Sequence, residues 1–172
     1  MSAIKSMFTK KTVQELALLL GEKLSNTGLV AATAESCTGG GVAYAITEIS
    51  GSSQWFDRSF VTYSNNAKTQ MLGVEPSIIE RFGAVSPDVV NAMAMGAVTY
   101  SDADIAVSIS GIAGPGGGSE EKPVGTVCFA WYSEKTGCKT ETYRFKGNRS
   151  EVREEAIRVA LLGLIDKIES HF

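Results

Sequence analysis

Three short apolar segments that alternate with helical patterns constrain the fold more than any other feature of the sequence. They span residues 29–34, 58–63 and 105–110. Short apolar runs of this kind are typical of buried strands, and helices between successive strands favour parallel pairing. Further along, residues 125–133 and 140–145 flank a Glu-Lys-Thr-Gly turn and predict a hairpin. The pattern predicts an α/β fold: a three-layer α/β/α sandwich with a mixed, mostly parallel central sheet.

Capping patterns mark the helix starts. Thr12 and Asn148 each precede a glutamate by three residues, which is the capping-box spacing, and Ser86 precedes a proline and an aspartate. With the apolar spacing, these signals predict helices over 13 to about 27, 40–48, 66–72, 76–82, 87 to about 101, and from 149 onward.

Composition excludes several classes of protein. With 172 residues, the chain is expected to form one domain, 1–172, with an N-terminal extension over 1–11. The net charge of −3 gives no basic field for nucleic acid, and no stretch approaches the roughly 18 apolar residues of a membrane span. Residues 1–11 lead into no signal-type apolar core. Three cysteines without metal-type spacing favour a reduced, cytoplasmic protein.

The single histidine, His171, restricts the chemistry further. It is the penultimate residue, in a tail that is expected to fray. Catalytic sites of the Ser-His-Asp and Cys-His types, and zinc sites built on histidine, are therefore not expected. No metal and no cofactor are predicted, and any base acting near neutral pH would be Lys, Tyr, Asp or Glu.

Three polar or glycine-rich segments follow the three predicted strands. They are 35–40, 63–68 and 110–118. Because ligands of such sheets bind beyond the carboxyl ends of the strands, we expect these segments to meet at one crevice. The first contains Ser36 at the tip of a strand-to-helix turn, where unpaired N–H groups favour an anion or an oxyanion. The alternative is a plain turn with a serine or threonine cap.

Ser36 is the predicted nucleophile, and Lys68 is the predicted base if burial lowers its pKa. Tyr63 could relay a proton or orient the amine, and the N–H groups from Cys37 onward would form an oxyanion hole. Each residue also has a structural interpretation: Lys68 as a solvated helix lysine and Tyr63 as a half-buried strand aromatic. Cys37, beside Glu35 and Lys68, resembles the nucleophile of another amidase class, but a small packed residue is favoured.

The predicted substrate-binding residues lie on the same segments. Residues 111–118 form a predicted glycine-rich loop, whose glycines would allow the backbone to approach a planar or phosphorylated ligand. The loop lacks the Gly-Lys-Ser or Gly-Lys-Thr ending of a Walker motif. The alternative is a flexible connector. Arg149, in the first turn of the last helix, could hold a phosphate bidentately or be a surface arginine. Thr38 could bind substrate or cap the helix. The full predicted set is Glu35, Thr38, Gly39, Gly40, Ser110, Gly111 and Arg149.

These motifs together resemble a known family. The quoted segments are Ala34-Glu35-Ser36-Cys37-Thr38-Gly39-Gly40, Phe60-Val61-Thr62-Tyr63-Ser64-Asn65 with Lys68, Gly83-Ala84-Val85-Ser86, Ser108 to Pro115, and Lys122 to Val127. In order and content they resemble the CinA C-terminal domain, over about Val13 to Ile168. The family's stand-alone members are nicotinamide-nucleotide amidases.

The resemblance implies a bacterial, cytoplasmic, metal-free serine amidase that converts nicotinamide mononucleotide to nicotinate mononucleotide and ammonia. It also implies pyridine-nucleotide recycling and a homo-oligomer, expected to be a dimer. By position, Ser36 corresponds to the nucleophile, Lys68 to the base with Tyr63 beside it, and Arg149 to an arginine for the substrate phosphate. Activities of the separate N-terminal domain of longer members are not expected here. The rival hypothesis is a non-catalytic, regulatory nucleotide-binding module; a structural or interaction protein is a weaker third.

Overall fold

The structure, a computed structural model, describes residues 11–172, so the predicted extension over 1–11 lies outside it except for Lys11. The described part contains six α-helices and five strands. The helices are α1 (Val13–Thr27), α2 (Gly41–Thr47), α3 (Asn65–Leu72), α4 (Pro76–Phe82), α5 (Pro87–Thr99) and α6 (Arg149–His171). The strands are β1 (Ala31–Glu35), β2 (Phe56–Val61), β3 (Ile105–Gly111), β4 (Thr126–Ser133) and β5 (Gly137–Arg144).

The strands form one mixed sheet in the order β2-β1-β3-β4-β5. Strand β1 is parallel to both β2 and β3, whereas β4 is antiparallel to both β3 and β5. Four of the five strands therefore point in the same direction. This confirms the α/β prediction, with a parallel half formed by the early strands and an antiparallel half formed by the late hairpin.

Helices cover both faces of the sheet, because alternate residues of the central strands are apolar on both sides. On β3, Ile105, Val107 and Ile109 pack with helices α1, α2 and α6 in one buried cluster. Ala106 belongs to the opposite cluster, which contains α3, α4 and α5. The three-layer arrangement follows from burial of both faces. Within residues 11–172, no helix is both long and apolar enough to cross a bilayer.

The capping predictions are confirmed where the structure describes them. Thr12 and Asn148 each form a complete capping box with the glutamate three residues later. The side chains of Ser64 and Ser86 accept the amides that open α3 and α5, respectively. Gly28 ends α1 in the left-handed conformation. These signals act within four residues, so local sequence is sufficient to specify them.

Every predicted strand differs from the structure by one to three residues at one or both ends, and two of these differences show why. Strand β2 ends at Val61 rather than residue 63, because its partner β1 ends at Glu35, which pairs with Val61. Strand β5 begins at Gly137, which pairs with Ser133, so only three residues form the hairpin turn. In both cases the end of a strand is set by its partner, which a single segment of sequence does not contain.

Candidate active site

The turn after β1 has the strand–turn–helix geometry that the sequence predicts. The Ser36 amide donates to Ile109 O at 3.0 Å and so continues the pairing with β3, and Gly39 N donates to Ser36 O at 2.9 Å. Gly39 and Gly40 have φ values of +59° and +95°, a region that residues with a Cβ rarely occupy. Helix α2 begins at the next residue, Gly41, where a Cβ would lie 2.7 Å from Ile157 Cδ1. Close packing against α6 therefore fixes the far side of this turn.

Glu35 is fully buried, and its carboxylate bonds to other groups of the protein. Its carboxylate accepts hydrogen bonds from two amides in the first turn of α2, Val42 N at 2.9 Å and Ala43 N at 3.0 Å. It also accepts hydrogen bonds from three hydroxyls, those of Thr33, Thr38 and Ser59. With five protein donors on two oxygens, the carboxylate anchors α2 behind the nucleophile turn, by which we mean the turn after β1 that contains Ser36. This placement does not support the prediction that Glu35 contacts substrate.

The side chain and the carbonyl of Thr38 bond to the protein, whereas its amide donates to no other residue in 11–172. The hydroxyl is buried and donates to Glu35 Oε1 at 2.7 Å, so a direct side-chain contact with substrate is not supported. The amides of Cys37, Thr38 and Gly40 donate to no other residue in 11–172, although that of Cys37 interacts with its own thiol. The turn that contains Ser36 therefore carries N–H groups that no other residue accepts, as an oxyanion site requires.

Lys68 reaches Ser36 from helix α3. Its Nζ lies 3.2 Å from Ser36 Oγ and 2.8 Å from Thr62 O. The side chain is only 1% exposed, and no carboxylate in residues 11–172 pairs with it. Burial lowers the pKa of the Lys68 amine. The structure thus brings together the hydroxyl and the amine that the sequence singles out, although 32 residues separate them.

Cys37 does not share the crevice with Ser36 as a second nucleophile. Its side chain lies in the apolar cluster of α1, α2 and α6, on the opposite side of the sheet from α3. Burial raises the pKa of the Cys37 thiol to about 12, so at neutral pH the thiolate is scarce. This is the packed role that the sequence favours.

Tyr63 and Arg149 form a bridge between the segments that follow β2 and β3. Arg149 Nη2 donates to the Tyr63 hydroxyl at 3.0 Å, and its Nη1 donates to Gly114 O at 2.9 Å. Tyr63 is 64% exposed, and no hydrogen bond joins it to Ser36 or Lys68. The predicted proton relay through Tyr63 is therefore not supported by this arrangement, and its hydroxyl instead orients Arg149.

Ser110 and Gly111 end the central strand β3 beside the nucleophile turn. Because Ser36 N bonds to Ile109 O, the parallel register places Ser110 next to Ser36. The Ser110 hydroxyl is almost completely buried and bonds to no group in the described part of the chain. At Gly111 a Cβ would lie 2.7 Å from Val127 Cγ2, so the glycine serves close packing of β3 on β4.

Two functional groups escaped the sequence analysis. One is the Thr62 carbonyl, which holds Lys68. The other is Arg153, whose guanidinium donates to the carbonyls of Cys37 and Thr38 at 3.1 and 3.3 Å. Arg153 follows Arg149 by four residues and so shares its helix face. That spacing is the one sequence signal that could have identified it.

A cavity elsewhere in the molecule lacks comparable chemistry. It has a volume of about 730 Å³ and opens at the other end of the sheet, beside Leu29, Asp104, Lys135 and Phe172. It contains no hydroxyl and amine in contact, so volume does not locate the reactive groups. Within residues 11–172, no cluster of three or more His, Cys, Asp or Glu side chains could hold a metal ion.

Comparison with known proteins identifies the family of the chain. Residues 13–168 match the CinA C-terminal domain. The nicotinamide-nucleotide amidohydrolase PncC of Escherichia coli K12 is 52% identical over 153 residues, which are 89% of this chain and 93% of the relative. The enzyme of the same name from Enterobacter agglomerans is 51% identical over 148 residues, 86% of this chain and 90% of the relative.

A solved structure has the same fold. The crystal structure of the competence/damage inducible protein CihA from Agrobacterium tumefaciens superposes with a TM-score of 0.88 at 46% sequence identity. The superposition covers 90% of this chain and 94% of that one. The sequence match and the shared fold extend over nearly the whole described chain, and the chain therefore belongs to the CinA C-terminal domain family.

Proposed function

We propose that this protein is an amidase that hydrolyses nicotinamide mononucleotide to nicotinate mononucleotide and ammonia, in the recycling of pyridine nucleotides. The relatives named as nicotinamide-nucleotide amidohydrolases support the substrate. The observation that carries the chemistry is the 3.2 Å contact between Lys68 Nζ and Ser36 Oγ, beside unpaired amides. It supports a mechanism with Ser36 as nucleophile and Lys68 as base.

The surroundings of Lys68 favour the neutral amine. A buried ammonium group without an anionic partner is costly, and burial correspondingly lowers the pKa of Lys68. A neutral amine has two N–H donors and one lone pair. One N–H donates to Thr62 O, and Nζ lies 3.2 Å from Ser36 Oγ, to which it donates. When the Ser36 hydroxyl turns toward the neutral amine, the lone pair of Nζ can accept its proton across the same contact. The resting geometry is thus that of a base in contact with its acid.

The first half-reaction transfers the acyl group to Ser36. Ser36 Oγ attacks the carboxamide carbon while its proton passes to Lys68, and the amide oxygen becomes an oxyanion near the Cys37 and Thr38 amides. The C–N bond then breaks. Lys68 returns the proton to the leaving nitrogen, so neutral ammonia departs and an acyl ester remains on Ser36.

The second half-reaction regenerates the enzyme. Lys68, again neutral, accepts a proton from a water molecule that attacks the ester carbon. The C–O bond to Ser36 breaks and Oγ regains the proton from Lys68. The carboxylic acid that forms loses its remaining proton to solvent, so nicotinate mononucleotide leaves as a carboxylate. Lysine therefore performs both proton transfers that histidine performs in a Ser-His-Asp site.

Arg149 is the proposed ligand of the substrate phosphate. A guanidinium has five N–H donors, of which two bind Gly114 O and the Tyr63 hydroxyl. The other three are available to phosphate oxygens, for which the fork geometry of arginine is suited. The mechanism requires no metal ion, so activity should persist in EDTA. A cytoplasmic location and a homodimer stay predictions.

The test of the function is ammonia release from nicotinamide mononucleotide by the purified protein. Wild-type protein should release one ammonia per nicotinate mononucleotide formed. Ser36→Ala should lower kcat by roughly a thousandfold or more, because no other group can form the acyl ester. Binding of the product to Ser36→Ala, measured by calorimetry, should persist.

The rival hypothesis of a regulatory module is separated by the same experiment. It predicts nucleotide binding without ammonia release by wild-type protein. Turnover of Ser36→Ala at the wild-type rate would instead exclude Ser36 as the nucleophile while leaving an amidase in place.

A further inference from the structure

Arg153 makes contacts that the steps described above do not use. It lies on helix α6 and is partly buried. Its Nε donates to Cys37 O at 3.1 Å and its Nη2 to Thr38 O at 3.3 Å. In residues 11–172 no carboxylate pairs with it. A planar guanidinium can bind two adjacent carbonyls at once, which fixes their relative orientation.

Peptide geometry converts that contact into an orientation of the amide. Cys37 O and Thr38 N–H belong to one planar trans peptide unit, so they point in opposite directions. Arg153 draws the carbonyl toward α6, which lies in the layer of α1 and α2. The Thr38 N–H therefore points away from Arg153 and α6.

The neighbouring peptide unit is held by Arg153 and by the backbone. Arg153 and the Gly41 N–H both donate to Thr38 O, and the Gly39 N–H of that unit donates to Ser36 O at 2.9 Å. Two glycines in left-handed conformations follow, and glycine allows a peptide unit to rotate at little cost. Without the guanidinium, nothing else in the described chain holds the carbonyl of Cys37.

The charge on Arg153 acts in the same direction as its geometry. A cation that binds a peptide carbonyl polarises the unit and strengthens its N–H as a donor. A donor fixed before the reaction stabilises a developing oxyanion more than one that must first reorient.

We propose that Arg153 is a positioning residue that orients the Thr38 N–H as an oxyanion donor, beside that of Cys37. The proposal rests on the proposed function in that it requires Ser36 to attack an electrophile, but it does not require a particular substrate. Arg153 itself touches no reacting atom.

A fluorophosphonate tests the proposal without the natural substrate. Ser36 Oγ forms a bond to phosphorus, the P–F bond breaks, fluoride leaves, and Lys68 takes the Ser36 proton. The P=O oxygen gains negative charge in the transition state, as an amide oxygen does. Intact-mass spectrometry follows the rate of labelling, and peptide mapping locates the label on Ser36.

Arg153→Met should slow labelling of Ser36 and lower kcat for nicotinamide mononucleotide by about ten- to a hundredfold. The loss should be smaller than for removal of an oxyanion donor, roughly a hundred- to a thousandfold, because the amide is still present. KM and the affinity for nicotinate mononucleotide should change less than about threefold. Arg153→Lys, which keeps the charge but not the fork, should restore part of the rate. Arg158→Met, five residues further along the same helix, is the control and should label like wild type.

Labelling of Arg153→Met at the wild-type rate would overturn the proposal. So would a change confined to KM and melting temperature, because that is the signature of a merely structural role. If Arg153→Met does not fold, Arg153→Lys decides the question: a labelling rate below that of Arg158→Met supports the proposal, and an equal rate overturns it.

The same assay distinguishes this proposal from the proposed function. If wild-type protein released no ammonia but Ser36 were labelled in an Arg153-dependent manner, the substrate assignment would fail and the positioning role would remain. If ammonia were released and labelling did not depend on Arg153, the reverse would hold.

Discussion

Two buried lysines lie at opposite ends of the molecule and have nearly the same surroundings. Lys68 is 1% exposed and donates to Thr62 O at 2.8 Å, and Lys167 is 5% exposed and donates to Gly137 O at 2.9 Å. Burial lowers the pKa of both amines. Only Lys68 also contacts a hydroxyl, that of Ser36, beside unpaired amides.

The comparison separates a perturbed amine from a reactive one. Lys167 ties the end of α6 to the turn between β4 and β5, at the opposite end of the sheet from the nucleophile turn. The titratable groups that interact with Lys167 are the Cys138 thiol and the Lys139 amine, and in the described chain no hydroxyl bonds to its Nζ. A lowered lysine pKa therefore indicates burial, and only the neighbouring groups show whether the amine can act as a catalytic base.

The largest difference in activity is expected between the two variants in which Lys68 or Lys167 is replaced by methionine. Lys68→Met should lower kcat for amide hydrolysis by about a hundred- to ten-thousandfold, because the proton acceptor and donor is lost. Lys167→Met should retain kcat within about twofold. Steady-state ammonia release measures both. Equal losses in the two variants would mean that burial of the amine, not its contact with Ser36, governs activity.

A second comparison, between Arg149 and Arg58, concerns binding of the substrate phosphate. Arg149→Ala should raise KM for nicotinamide mononucleotide by roughly ten- to a hundredfold, since hydrogen bonds to charged groups contribute about 1.5–3 kcal/mol. Nicotinamide riboside, which lacks the phosphate, should be affected little. Arg58, which pairs with Asp57 near the opposite end of the sheet, provides the control, and Arg58→Ala should leave both KM values unchanged. An equal loss for the riboside would contradict the phosphate role.

The dependence of rate on pH should sharpen the assignment of Lys68. Protonated lysine cannot accept the Ser36 proton, so below the Lys68 pKa kcat should fall about tenfold for each pH unit. Because burial lowers the pKa, the rate should rise with pH and reach its plateau below the ordinary lysine value of 10.5. The midpoint should be unchanged in Lys167→Met. A midpoint that shifts in Lys167→Met, but not when groups around Ser36 are replaced, would refute the assignment of Lys68 as the base.

The smallest effect concerns the residue whose carbonyl holds Lys68. The Thr62 hydroxyl is buried and has no partner in the described chain. The equally buried Thr33 hydroxyl lies within hydrogen-bond distance of both Glu35 Oε2 and Ser59 Oγ. Thr62→Val keeps the carbonyl and should raise the free energy of unfolding by up to about 1 kcal/mol. Thr33→Val should lower it by about 1–2 kcal/mol. Urea denaturation measures both, and destabilisation by Thr62→Val would show that its hydroxyl has a partner.

Much of the fold was predictable because its signals are local. The caps at Thr12, Ser86 and Asn148 act within three residues, and the strand-to-helix turn at Ser36 is encoded in consecutive residues. The convergence of Ser36 and Lys68 followed from a general property of parallel sheets rather than from either residue alone. The resemblance of the motifs to the CinA C-terminal domain predicted the family, and the family match over residues 13–168 confirms it.

The roles of individual side chains were less predictable. Glu35 and Thr38 adjoin the nucleophile in sequence, yet their side chains bind each other and the start of α2. Tyr63 precedes Lys68 by five residues, yet its hydroxyl binds Arg149, 86 residues away. Proximity in sequence did not predict direction, because a tight turn sends adjacent side chains to opposite sides of a sheet.

The sequence by itself determined the layered α/β fold, the helix starts, the turn with its unpaired amides, and the restriction to a base other than histidine. These depend on residue types and on spacings of a few residues. Only the tertiary structure decided that Lys68 is desolvated against Ser36, that Arg149 bridges Tyr63 and Gly114, and that Arg153 holds the nucleophile turn. Those contacts join residues 32 to 116 positions apart, and their geometry exists only once helices from both layers have packed on the sheet.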